Sequence, residues 1–243
     1  MPRLSIIDRD PLSARVILAI ALLLGAFMRF FRLGIVELSG DEAASWAAAA
    51  APSLSATIAI QHELNAGKLA LHDLTLHAWV RVFGDSEAAL RGLSALFGVA
   101  CIALVFVVAR ELMARLSRAA ADSTPPGGAD SVAATSALIA AVSFLMVRES
   151  REARMYAMML ALMLAQVGFF LRAERRGGAA NHGAVAIFTA LGVAANFTAL
   201  LVIGVEAAWI GYRAAQRMRS GSRGGANSLW ALGAAIVAGL LML

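Results

Sequence analysis

A single cysteine, Cys101, stands inside an apolar run of this 243-residue chain, so no disulfide framework is available and the thiol reads as a packing group. Charge is scarce: 15% of residues are charged and 60% are hydrophobic, whereas soluble domains carry about 25% charged residues. The apolar runs are continuous rather than alternating, which argues against a β-barrel. No basic-aromatic cluster or nucleic-acid motif accompanies the net charge of +5, because the basic residues are scattered at the ends of apolar runs. Lysine is almost missing, with Lys68 the one exception among twenty-one basic residues. A small-residue cleavage site is missing too: the first apolar run ends in Arg29-Phe30-Phe31-Arg32, which marks a retained span rather than a removed signal peptide.

What is present is a series of segments near the ~20 apolar residues that cross a bilayer. They predict an all-α polytopic membrane protein with about seven transmembrane helices, over residues 13–33, 89–112, 132–147, 155–171, 183–195, 198–212 and 228–243. Residues 34–88 form a large first extracytoplasmic loop with interfacial helices over 42–51, 54–64 and 69–83, and Trp46 and Trp79 suit that level. Residues 122–130 read as a linker. The stretch from His182 to Tyr212 is long for one crossing and short for two. Two short helices turning near Ala195-Asn196-Phe197 keep Arg172, Arg175 and Arg176 on the same side as Arg213, Arg217, Arg219 and Arg223. With the amino terminus cytoplasmic, thirteen Arg fall inside against eight basic residues opposite, which fits the positive-inside rule. The loop and the charged stretch 148–154 then share the extracytoplasmic face. The chain stops within its seventh span, so the expectation is an amino-terminal portion of a longer protein.

The loop concentrates the ionisable groups. Ser39-Gly40-Asp41-Glu42 reads either as a capping box or plain N-cap, or as a general base, Asp41, with Glu42 positioning or polarising beside it. In the second reading burial tunes the Asp41 carboxylate. Lys68, Arg151 and Arg154 are candidate holders of a phosphate that gains charge in a transition state. Arg151 and Arg154, three apart on a helix start, fall on one face; the competing reading of Arg148, Glu149, Arg151, Glu152 and Arg154 is an interfacial ion-pair ladder. Asp73 and His77 share a helical face and His72 does not. No metal-binding pattern surrounds them, so a polar helix surface is the expectation and a divalent metal is not indicated. Glu206, inside the sixth span, is an intramembrane acid, placed near enough to the cytoplasmic end to be solvated.

Three ordered segments carry a family resemblance. Asp41-Glu42-Ala43, the run Leu76-His77-Ala78-Trp79-Val80-Arg81-Val82-Phe83-Gly84-Asp85-Ser86-Glu87-Ala88-Ala89-Leu90-Arg91, and Arg151-Glu152-Ala153-Arg154-Met155-Tyr156-Ala157 resemble the signatures of the C-type membrane glycosyltransferases. The nearest group is the family 39-like, protein-mannosyltransferase and ArnT-like enzymes. The resemblance covers most of residues 30–215. It implies a polyprenyl-phosphate-linked sugar donor, a lipid, glycan or protein acceptor, inverting transfer on the extracytoplasmic face of a bacterial inner membrane, and Asp41 as base. It places Lys68 at the position of the lysine that meets the lipid phosphate. Tyr156, with His72, Asp73 and His77, is expected to line the donor groove. The family's Lys-Pro-Pro-Leu-Tyr-Tyr-like run reads Lys68-Leu69-Ala70-Leu71-His72-Asp73 here, without its prolines and aromatics. The rival expectation is a non-catalytic polyprenyl-phosphate lipid binder or translocator, or an inactive fragment.

Overall fold

A computed structural model describes residues 11–65, 68–119, 128–219 and 226–243. Arg3, Arg9, residues 122–127 of the expected linker, and Arg223 lie outside the described residues. Every regular element among those described is helical.

Helix α1 (Pro11–Phe30) starts with proline, where the missing N–H costs no helical hydrogen bond. Three short helices follow: α2 (Gly40–Ala49), α3 (Leu54–Leu64) and α4 (Leu71–Phe83). Ser39 caps α2 and Ser53 caps α3, each accepting a backbone N–H of the first turn. Gly84, at φ 82°, ends α4 in a conformation that side chains disfavour. Helix α5 (Glu87–Ala119) has 33 residues, about 50 Å of length, longer than the ~30 Å hydrocarbon layer. Next come α6 (Gly128–Val142) and α7 (Phe144–Ser150), bent by 59° at Ser143. Helix α8 (Tyr156–Arg176) ends at Gly177 and Gly178, both with positive φ. The chain closes with α9 (Ala179–Ala195), a 3₁₀ turn at Phe197–Ala199, α10 (Leu200–Arg219) and α11 (Ala226–Leu241).

Among the described residues, four helices are long and apolar enough to cross a membrane: α1, α5, α8, and α10 with its preceding turn; α6 and α7 taken as one bent unit would make a fifth. Helices α9 and α11 are apolar and shorter. Large apolar side chains face outward on these helices, among them Leu23, Leu201, Val205 and Trp230. A surface of that kind belongs against lipid. The chain is an integral membrane protein of helical type.

The span expected over 132–147 is broken, and the cause lies on another helix. Arg29, fully buried in the last turn of α1, donates from Nη1 to the Ala141 carbonyl at 3.0 Å and from Nη2 to the Ala140 carbonyl at 3.4 Å. Its Nε reaches Ser150 Oγ at 3.2 Å. The carbonyls freed where α6 stops are thereby satisfied from the side. Gly98 of α5 makes room for this cluster, since a Cβ there would overlap Ser150 and press on Arg29 Nε.

The ionic contacts fix which helix ends lie together. Arg115 of α5 and Arg213 of α10 both pair with Glu174 of α8, and Arg110 of α5 pairs with Asp130 at the start of α6. The carboxyl ends of α5, α8 and α10 therefore share one end of the bundle. Helices α2 to α4 occupy the other end. There Ala49, Leu76, Leu90, Leu93 and Ala153 form a buried apolar cluster that joins α2, α4, α5 and the turn before α8. The chain breaks at Asn196, whose side chain caps the 3₁₀ turn.

Candidate active site

Glu42 is the fixed point of this end of the molecule. It is 2% exposed. Both halves of the capping box with Ser39 are formed, with the Ser39 N–H donating to Oε2 at 3.0 Å. Arg91 donates to the same carboxylate twice, Nε to Oε1 at 2.7 Å and Nη2 to Oε2 at 2.8 Å. The Ala153 N–H adds a fourth bond at 2.9 Å. Burial pushes the carboxyl upward, but the Arg91 guanidinium and the two backbone N–H groups outweigh it and hold Glu42 down at about 2. The rest of the Arg91 guanidinium binds the carbonyls of Leu33, Val36 and Glu37. Expected to position or polarise beside Asp41, Glu42 has its lone pairs occupied and ties α2, α5 and the residue 151–155 turn together.

Asp41, one residue earlier, has the opposite surroundings. Its side chain is 77% exposed, and Arg154 Nη2 stands 3.5 Å from Oδ2. Nη1 of the same arginine holds the Asp41 carbonyl at 3.1 Å. The expected burial of Asp41 is not found, because the helix start points it outward while Glu42 points inward. Arg154 itself is nearly buried, with its guanidinium 5.7 Å above the Tyr156 ring.

Arg154 leads inward to His72, whose ionisation its charge opposes. His72 Nδ1 is 3.4 Å from Asp73 Oδ1, and Asp73 Oδ2 is 2.8 Å from Lys68 Nζ. All three are buried, so the polar helix surface expected for His72 and Asp73 is in fact an interior cluster. Burial pushes the His72 pKa down, disfavouring its charged form. Burial works to raise Asp73, but His72 and the Lys68 ammonium prevail and keep it ionised. Gln61 of α3 fixes the chain here, donating to the Lys68 carbonyl at 3.0 Å. Lys68 Nζ and His72 Nε2 are buried without hydrogen-bond partners, the Lys68–Asp73 contact being close but not aligned. The cluster thus holds hydrogen-bonding capacity that the surrounding protein does not use.

Two expected members lie elsewhere. Arg151 does not share a face with Arg154, because residues 151–155 form a turn and α8 begins only at Tyr156. Its Nη1 instead binds the carbonyls of Met28, Arg29 and Phe31 at 2.8, 3.2 and 2.9 Å, closing the carboxyl end of α1. His77 turns toward α2, its Nδ1 2.9 Å from the Ala49 carbonyl and 3.2 Å from Thr57 Oγ1. Of the ion-pair ladder, Arg148–Glu152 forms at 3.5 Å on the surface. Tyr156 borders an apolar cavity of 160 Å³ between α5, α7 and α8.

The site thus gathers Asp41, Arg154, Tyr156, His72, Asp73 and Lys68 at one end of the bundle. No family model, curated protein or solved structure matches this chain. The geometry stands on its own.

Sequence reading missed Arg91 and Arg29. Each is a charged residue at the edge of an apolar run, and such a residue is a functional or structural flag by default. Glu206 is not solvated as expected: it is 6% exposed and accepts from Gln166 Nε2 at 2.7 Å, between α8 and α10.

Proposed function

We propose that this chain is a C-type membrane glycosyltransferase, moving a sugar from a polyprenyl-phosphate donor to an acceptor at the membrane face carrying α2 to α4. The observation that carries this reading is the Asp41–Arg154 pair: a carboxylate open to solvent, fixed 3.5 Å from a nearly buried guanidinium. Transfer from a phosphate uses one group of each kind, a base for the acceptor proton and a cation for the leaving phosphate. The acceptor oxygen attacks the anomeric carbon and inverts it while Asp41 takes the acceptor proton. The bond from that carbon to the phosphate oxygen breaks, its electron pair leaves with the polyprenyl phosphate, and the added charge falls to Arg154 and Lys68. Asp73 and Gln61 hold Lys68 in position until the phosphate arrives. Glu42, Arg91 and Arg151 act by fixing the loop and the turn.

Incubating the full chain with polyprenyl-phosphate sugars and weighing the products tests the reading. Asp41→Asn is expected to lower transfer by about 10²- to 10⁴-fold while membrane insertion and donor binding persist. Undiminished transfer by this variant removes Asp41 from the chemistry. Donor binding with no transfer by the unaltered chain makes the protein a lipid binder or translocator instead.

A further inference from the structure

At the end of the bundle away from α2 to α4, α5 and α8 frame a cavity of 220 Å³ lined by Arg110, Arg172, Arg175 and Arg176. One carboxylate, Glu111, shares the cavity and is already engaged, with Arg172 Nε at 2.8 Å and Arg175 Nη2 at 2.6 Å. Asp130 takes Arg110 Nε at 2.8 Å. Among the described residues, four guanidinium groups therefore meet two carboxylates, and two positive charges are left over. Arg176 is exposed and has no ion pair among the described residues. Arg175 Nε is buried with no acceptor, and a buried donor without a partner is costly.

The depth of the cavity narrows the choice of ligand. Counting from Glu87, the ~30 Å hydrocarbon layer is crossed in about 20 helical residues. Arg110 and Glu111 then fall at headgroup level, with Phe106 forming an apolar inner edge. A cationic rim above an apolar floor at that depth matches an amphiphile with a phosphate head. Basic pockets between membrane helices recognise anionic lipid headgroups in this way, and planar guanidinium groups suit phosphate oxygens.

We propose that this pocket binds the phosphate of an anionic phospholipid from the leaflet opposite the candidate active site. The test uses the full chain in neutral detergent, following its thermal transition against added phosphatidylglycerol, phosphatidylcholine or inorganic phosphate. Phosphatidylglycerol is expected to raise the transition saturably and the other two are not. Arg175→Gln also strips Glu111 of a partner, so the deciding variant is Arg176→Gln, which breaks no ion pair. It should weaken the phosphatidylglycerol effect about fivefold, and Arg176→Lys should restore most of it. Asp41→Asn should leave it unchanged, which separates this site from the transferase reading. Equal protection by phosphatidylcholine, equal protection by inorganic phosphate, or an unaltered response in Arg176→Gln would each overturn the proposal.

Discussion

Between Asp41 and Glu42 a single residue step on a helix start separates an open carboxylate from a buried one. The inward residue gains four bonds and the outward residue keeps its reach into solvent. Glu42 then carries a pH dependence with a definite sign. Its folded value, about 2, lies below the usual 4.5, so its contribution is complete above 4.5 and disappears as pH falls through 2. That difference corresponds to about 3 kcal/mol. Thermal denaturation of the purified chain across this window should show a loss of stability on acidification that is smaller in Glu42→Gln, where the contributions of Asp73 and Glu111 remain. The variant itself should be less stable at neutral pH by about 3–5 kcal/mol, because Arg91 is left buried without its carboxylate. A transition with the same acid slope in both proteins would rule out this assignment. The capping box was legible because its two partners sit three residues apart. Arg91 was not, since it meets Glu42 across 49 residues and no local spacing announces such a pair. The resemblance that singled out Asp41, Lys68 and Arg154 says nothing of which of two neighbouring acids turns inward.

At the level of elements, the long helices followed from continuous apolar runs, and α3 begins and ends at the residues expected, 54 and 64. The break at Ser143 did not, because serine is tolerated within helices and the interruption is stabilised by Arg29 from α1. Likewise Arg151 and Arg154 part company because the chain turns before α8, which a pattern of charges three apart conceals. Close helix contacts were equally hidden. Gly239 of α11 lies against Ala186 and Thr189 of α9, and a Cβ there would overlap the Ala186 carbonyl oxygen, which is backbone and cannot swing aside. Small residues allow such approach in membranes. Gly239→Val should therefore destabilise the α9–α11 contact by about 1–3 kcal/mol, read as a lower thermal transition in detergent. The same change at Gly233, where a Cβ meets nothing, should leave the transition nearly unmoved.

For the whole molecule, the ion pairs at Glu174 and the Glu42 hub separate two opposed ends. The one native thiol, Cys101, is 1% exposed and should resist aqueous maleimide, so introduced cysteines report cleanly. Asp85→Cys and Arg219→Cys, both at exposed positions, should label from opposite sides of sealed vesicles. Labelling of both from one side would contradict the arrangement of helix ends. Composition sufficed to identify a helical membrane protein, since scarcity of charge is a property of the whole chain. It could not reveal the pairing of Lys68 with Asp73, which depends on how α3 and α4 meet.

The short turn between α7 and α8 also sets an order of events during synthesis. Ala153 closes the last bond to Glu42, and Arg154 grips Asp41, yet both are made more than a hundred residues after the segment they secure. Chains emerge from the ribosome amino end first. The surface helices can dock on α5 through Arg91 and the apolar cluster, but the candidate site is closed only when the start of α8 arrives.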